Sequence, residues 1–223
     1  MTSTDRRVAG VLLLTSPALM LVSVAIVVPA GLTLNPADPT AALTAVRAQV
    51  GLHLAELAFD VLGWIGLTAA GMTLAAGVPR AALPGGLLAA AGLAGVLHDA
   101  GNLAVTQLAA ETDPAAVAAA RALLLAAKWE VNLAGLLWAA ALAAAAVRLA
   151  LPRSMRLCGA VAAGCGLAAV ALPWTTGTAG PSPAVEQLGY VLQLPVLVWF
   201  AVLGWRQLRR VDALPGAGAM AAR

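Results

Sequence analysis

The chain has 223 residues, of which 61% are hydrophobic and 10% charged, and its mean hydropathy is +0.90. A soluble domain carries about 25% charged residues, so this composition excludes one and points to an integral membrane protein. The formal net charge of +3 comes from basic residues scattered between apolar runs, with no aromatic-studded basic patch, which excludes nucleic acid as a partner.

Six apolar runs of membrane-spanning length stand at about 8–32, 49–79, 82–109, 118–149, 153–174 and 184–207. The expected fold is therefore all-α: a polytopic membrane protein with six transmembrane helices in one compact domain over 1–212, followed by a disordered cytoplasmic tail over 213–223. The first run opens on Asp5-Arg6-Arg7, but its length exceeds the apolar core of a signal peptide, so it reads as a permanent helix. Arg6, Arg7, Arg80, Arg148, Arg153, Arg156, Arg206, Arg209 and Arg210 fall on one side of this arrangement, and only Arg47 and Arg121 on the other. Cytoplasmic loops collect Lys and Arg, which places both termini in the cytoplasm of a cell-membrane protein.

The second run carries His53, Glu56, Asp60, Trp64 and Thr68 on one stripe, at the spacing of three and four residues that brings side chains onto a single helical face. An ionisable group inside a bilayer costs at least ~2.5–3.5 kcal/mol, so such a stripe marks a functional site. Before it, residues 40–48 are expected to form a short interfacial helix. After it, the third run carries His98, Asp99, Asn102 and Thr106 on one face. Asp113-Pro114 reads as an N-cap with proline at the first helical position. The fourth run carries Lys128 and Asn132 on one side with Glu130 roughly opposite, and Trp129 between them. Cys158 and Cys165 in the fifth run fit neither a CxxC motif nor zinc-ligand spacing and read as small buried residues. The sixth carries Glu186, Tyr190 and Gln193 on one stripe, with Pro195 kinking the helix below them. Trp174, Trp199 and Trp205 fit interfacial belts.

At a rise of 1.5 Å per residue, Asp60 lies about 30 Å above Arg80, His98 about 27 Å above it, Glu130 about 27 Å above Arg148 and Tyr190 about 24 Å above Arg206. Four helices thus bring polar groups to one level in the outer half of the membrane, while the inner half is almost all Ala, Leu, Val and Gly. A pocket closed toward the cytoplasm fits that asymmetry better than a pore. Glu56, Asp60, Asp99, Glu130 and Glu186 cannot all be ionised together in a low-dielectric site, and a carboxylic acid that keeps its proton in an apolar pocket is a general acid. Ion pairing with Lys128 or the histidines is the competing structural explanation of the same carboxylates.

The expected catalytic residues are Glu56, Asp60, Asp99 and Glu130; the expected substrate-binding residues are Trp64, His98, Asn102, Lys128, Trp129, Asn132, Glu186, Tyr190 and Gln193. A metal bound by His53, Glu56, His98 and Asp99 or Asn102, or a haem between the two histidines, runs against a depth difference of about 13 Å between His53 and His98. A Schiff base on Lys128 rests on its location alone. No metal and no cofactor is therefore expected, His53 is placed at the pocket mouth, and the expected partners are membrane lipid and a lipophilic small molecule.

Arg7-Val-Ala-Gly-Val-Leu-Leu-Leu, the Leu151-Pro-Arg-Ser-Met-Arg-Leu-Cys-Gly turn and the ending Leu194-Pro-Val-Leu-Val-Trp-Phe-Ala-Val-Leu-Gly-Trp resemble a group of bacterial six-helix integral membrane proteins of unknown function. The resemblance implies the topology. The intramembrane acids also invite a chemical analogy to integral-membrane terpene cyclases, although the chain has no DDxxD diphosphate-binding sequence. The expected function is an intramembrane enzyme doing general acid/base chemistry, a protonation-initiated cyclisation or isomerisation of a lipophilic substrate, isoprenoids included. The alternative is a proton-coupled transporter or ligand-binding membrane protein.

Overall fold

A computed structural model describes residues 1–111, 113–180 and 182–212. The expected tail at 213–223 lies outside the described residues. The helices are α1 (Ser3–Ala30), α2 (Pro39–Ala48), α3 (Val50–Gly77), α4 (Ala82–Leu108), α5 (Pro114–Arg148), α6 (Arg153–Trp174) and α7 (Pro183–Asp212). Six of them, all but α2, are long and apolar enough to cross a membrane, and no strand occurs among the described residues. The short α2 stands where the interfacial helix was expected.

Local chemistry starts and stops these helices. Thr2 and Asp5 form a capping box at the start of α1, and Gly31 at φ 67° ends it in a left-handed conformation that a side chain would strain. Asp38 caps α2 and Asp113 caps α5, each followed by proline at the first turn, and Asp113 accepts from the Ala116 amide at 2.8 Å. The α5 helix starts at Pro114 rather than near 118 because this cap, not the onset of strong hydropathy, decides where it begins.

Each span packs on the next: α1 on α3, α3 on α4, α4 on α5, α5 on α6, α6 on α7, with α7 closing back on α1. The result is a six-membered ring of helices. Small residues let the walls meet. A Cβ placed on Gly71 would lie 2.6 Å from the Gly85 carbonyl oxygen, and one on Gly10 would lie 2.9 Å from the Gly204 carbonyl oxygen, so backbone meets backbone at α3/α4 and α1/α7. The Met1 side chain lies against Gly77, which puts the start of the chain beside the α3–α4 link.

The half of the ring nearer the termini is solid. Leu13, Leu67, Leu74, Leu88, Leu142 and Phe200 are buried there, and with their neighbours they form one apolar core. At the opposite end α2 lies across the bundle, with Leu43 and Val46 packed into a second cluster that includes Leu32, Val105 and Leu124. The Arg47 guanidinium fixes it by donating to the carbonyls of Ala109 and Glu111, each at 2.6 Å. Outside, Leu62, Ile65, Met72, Leu93, Leu97, Val161 and Val198 are exposed, the apolar surface that a lipid-facing bundle presents.

Two expectations are corrected. Trp199 is not at an interface: it is 4% exposed and its indole donates to the Met155 carbonyl at 2.9 Å, because Gly159 leaves room for the ring. Cys158 is exposed on the outer surface and Cys165 is half-buried, since the close-packed face of α6 is the one carrying Gly159, Ala162 and Gly166.

Candidate functional site

Between the solid half and the α2 end lies a cavity of about 260 Å³. Most lining positions fall in the half of their helix away from the termini: Met20 to Val27 of α1, His53 to Trp64 of α3, His98 to Asn102 of α4, Ala169 to Pro173 of α6 and Val185 to Leu197 of α7, with residues 32–34 after α1; on α5 the lining runs from Lys128 past the middle of the helix to Trp138. Its deep end is aromatic. Trp138 meets Trp64 edge-on with centroids 5.6 Å apart and leans on Phe200 at 6.0 Å, a stack that separates the cavity from the apolar core.

One wall carries the acids. Asp60 on α3, Asp99 and His98 on α4 bring carboxylate oxygens and a ring nitrogen within 4.8 Å of one another. Asp60 is held from behind by the Trp64 indole, which donates to Oδ2 at 3.2 Å one turn along the helix. His98 donates from Nδ1 to the Ala127 carbonyl at 2.8 Å, which leaves Nε2 as an acceptor; Asn102 Nδ2 donates to it at 3.1 Å. Asp99 is 2% exposed, and neither of its oxygens has a hydrogen-bond donor against it. The two carboxyls, on neighbouring helices, thus stand at one place in the wall, with His98 Nε2 4.0 Å from Asp99 Oδ1 beside them. The donor atoms of Asp60, His98 and Asp99 are also the group that could hold a divalent cation.

Next to it, one turn toward the start of α3, is a second cluster. Glu56 is 5% exposed and both of its oxygens are engaged: Ser23 Oγ of α1 donates to Oε2 at 3.0 Å, and His53 Nδ1 lies 2.9 Å from Oε1. His53 is 1% exposed, so it is no residue of the pocket mouth. The short helix α2 and the residues after α1 cover the end of α3 that the sequence left open. The two histidines serve different clusters, and the set His53, Glu56, His98 with Asp99 or Asn102 does not converge.

The facing wall is α5 to α7. Lys128 Nζ lies 2.8 Å from Glu186 Oε1 and ties α5 to α7. Asn132 donates to the Val170 carbonyl at 3.0 Å and accepts from the Trp174 indole at 2.7 Å, which holds the exposed Trp174 ring edge-on to Trp129. Tyr190 and Gln193 complete this wall. No residue of α7 from Pro183 to Pro195 is buried, whereas Val196, Leu197, Trp199 and Phe200 are. That half of α7 is the loosely packed side of the cavity.

Of the expected site residues, Glu56, Asp60, Asp99, Trp64, His98, Asn102, Lys128, Trp129, Asn132, Glu186, Tyr190 and Gln193 line this cavity. Glu130 does not. It sits two residues, about 200° of helix, from Lys128, so when Lys128 turns inward Glu130 turns away. Ser23 and Trp138 line the cavity without having been expected. Ser23 had a signal, being seven residues from the equally buried Ser16 with Met20 between them, one stripe of α1. Trp138 had none beyond its size. No protein-family model, curated protein or solved structure matches this chain.

Proposed function

We propose that the protein is a membrane-embedded enzyme doing general acid/base chemistry, a protonation-initiated cyclisation or isomerisation, on a lipophilic molecule held in this cavity. The observation that carries the reading is that the Asp60 and Asp99 carboxyls come within 4.8 Å of each other in the wall of a chamber enclosed by the helices. A carboxylic acid so placed delivers a proton to an alkene, epoxide or carbonyl carbon skeleton without competition from bulk water. Trp64 and Trp138 present aromatic faces to the cation that protonation creates. Asn102, Tyr190 and Gln193 orient the substrate from the sides. Entry is lateral, past the loosely packed half of α7, which suits a substrate dissolved in the bilayer. The chamber faces the outer leaflet, with both termini in the cytoplasm, an orientation that reporter fusions at Met1 and after Asp212 test directly.

Asp60→Asn and Asp99→Asn variants decide between readings. Loss of a specific lipophilic product from the membrane extract, by on the order of 100-fold or more, is the enzyme's signature. Unchanged products with lost proton-coupled uptake would instead assign a transporter, and normal behaviour in both assays would refute acid chemistry at this pair.

A further inference from the structure

Resting on that reading, the surroundings of the three acids divide the labour among them. Asp99 has no hydrogen-bond donor against either oxygen, and its polar neighbours are the Asp60 carboxyl and His98 Nε2, the latter 4.0 Å from Oδ1. Glu56 is the opposite case: Ser23 Oγ donates to one oxygen and His53 Nδ1 lies 2.9 Å from the other, so both are fixed in place from the side away from the cavity wall's other acids. Both the acid pair and Glu56 open from the same wall. Asp60 and Glu56 are four residues apart on α3, which puts them on one face about 6 Å from each other.

We infer that Glu56 is the terminating base, positioned by Ser23 and His53, and that the reaction is an isomerisation in which a double bond moves a few carbons along a lipophilic chain. The proton balance is closed. The Asp60–Asp99 pair gives its proton to one alkene carbon; a C–H bond forms, the π bond breaks, and a cation remains on the neighbouring carbon. Glu56 removes a proton from a carbon on the far side of that cation, and the C–H electron pair becomes the new double bond. The substrate's formula is unchanged, and the cycle closes when Glu56 gives up this proton and the Asp60–Asp99 pair takes one up. Because giver and taker share the α3 side of the chamber, both transfers occur on one face of the substrate. A polyene cyclisation has a different requirement, since its cation travels and the base must stand at the far end of the folded chain. Across the chamber from α3 the carboxylate is Glu186, and Lys128 Nζ already holds it at 2.8 Å.

The test uses full-length protein in phosphatidylcholine vesicles, incubated with the total lipid extract of the cells that make it. The native protein is expected to convert one lipophile into a product of equal mass that takes up the same number of hydrogen molecules on catalytic reduction, so the count of double bonds is preserved. Glu56→Gln should lower that conversion at least 100-fold, Glu56→Asp should restore part of it, and His53→Gln should lower kcat with KM unchanged, as a positioning role requires. Thermal midpoints of the variants separate these effects from misfolding. A product with one double bond fewer, or full activity of Glu56→Gln, overturns the isomerase assignment while leaving the acid reading standing. No conversion of any lipophile by native protein overturns both.

Discussion

Gly95→Ala probes the link between helix packing and the acid pair. A Cβ on Gly95 would fall within the Trp64 ring, inside van der Waals contact of three of its carbons. Trp138 is edge-on against the ring and Trp64 is itself 5% exposed, so the indole can yield only toward the cavity it lines. Overpacking of this kind costs about 1–3 kcal/mol. The displaced indole also gives up its hydrogen bond to Asp60, a bond to a carboxyl oxygen that contributes roughly another 1–2 kcal/mol. At about 2–4 °C per kcal/mol for a chain of this size, the thermal midpoint in detergent should fall by roughly 4–20 °C, with a shift in tryptophan emission as the ring moves. Gly86→Ala is the matched control: it lies on the same helix, nothing stands within 4 Å of its new methyl group, and the alanine should leave stability unchanged or raise it by up to about 1 kcal/mol. Equal midpoints for the two variants would refute the packing of Gly95 on Trp64, and with it the support of Asp60 from behind.

Lys128→Ala leaves Glu186 without its partner in a largely buried position and should cost on the order of 3 kcal/mol; Lys128→Met with Glu186→Gln should recover most of it, read as a double-mutant cycle of thermal midpoints. Arg47→Ala removes both bonds that pin α2, so amide exchange across Pro39–Ala48 should quicken at least tenfold while exchange in Leu67–Leu74 stays slow. Gly71→Leu should impair folding more than Gly51→Leu, since a side chain at Gly71 meets the α4 backbone and one at Gly51 meets nothing within 4 Å; equal yields of folded protein would contradict the close α3–α4 crossing. Asn132→Leu should free Trp174, detected as increased quenching of its emission by a lipid-soluble quencher.

Much of the architecture is legible in the sequence because hydropathy and capping are local. A run of apolar residues long enough to cross a bilayer folds as a helix wherever it sits, since its backbone groups have no other partner there. Asp113-Pro114 states where α5 starts by chemistry contained in four residues. The level of the polar residues also follows from counting, because rise per residue is fixed. For the same reason twelve of the expected site residues reach one chamber.

The rest depends on how each helix is turned about its own axis and what covers it, which distant contacts decide. Glu130 and Lys128 share a depth, and only the ring closure that turns Lys128 toward Glu186 sends Glu130 away. Counting put His53 near the surface; α2 and the Ser23 stripe of α1 roof it over and make it Glu56's partner. Trp199 reads as an interfacial residue by position, yet a missing side chain at Gly159 admits it to the core. Apolar patterning by itself thus determined six spans and the height at which their polar groups stand. Which of those groups touch was left to the tertiary structure, because glycine contacts between neighbouring helices set the rotations that bring Asp60 of α3 against Asp99 of α4.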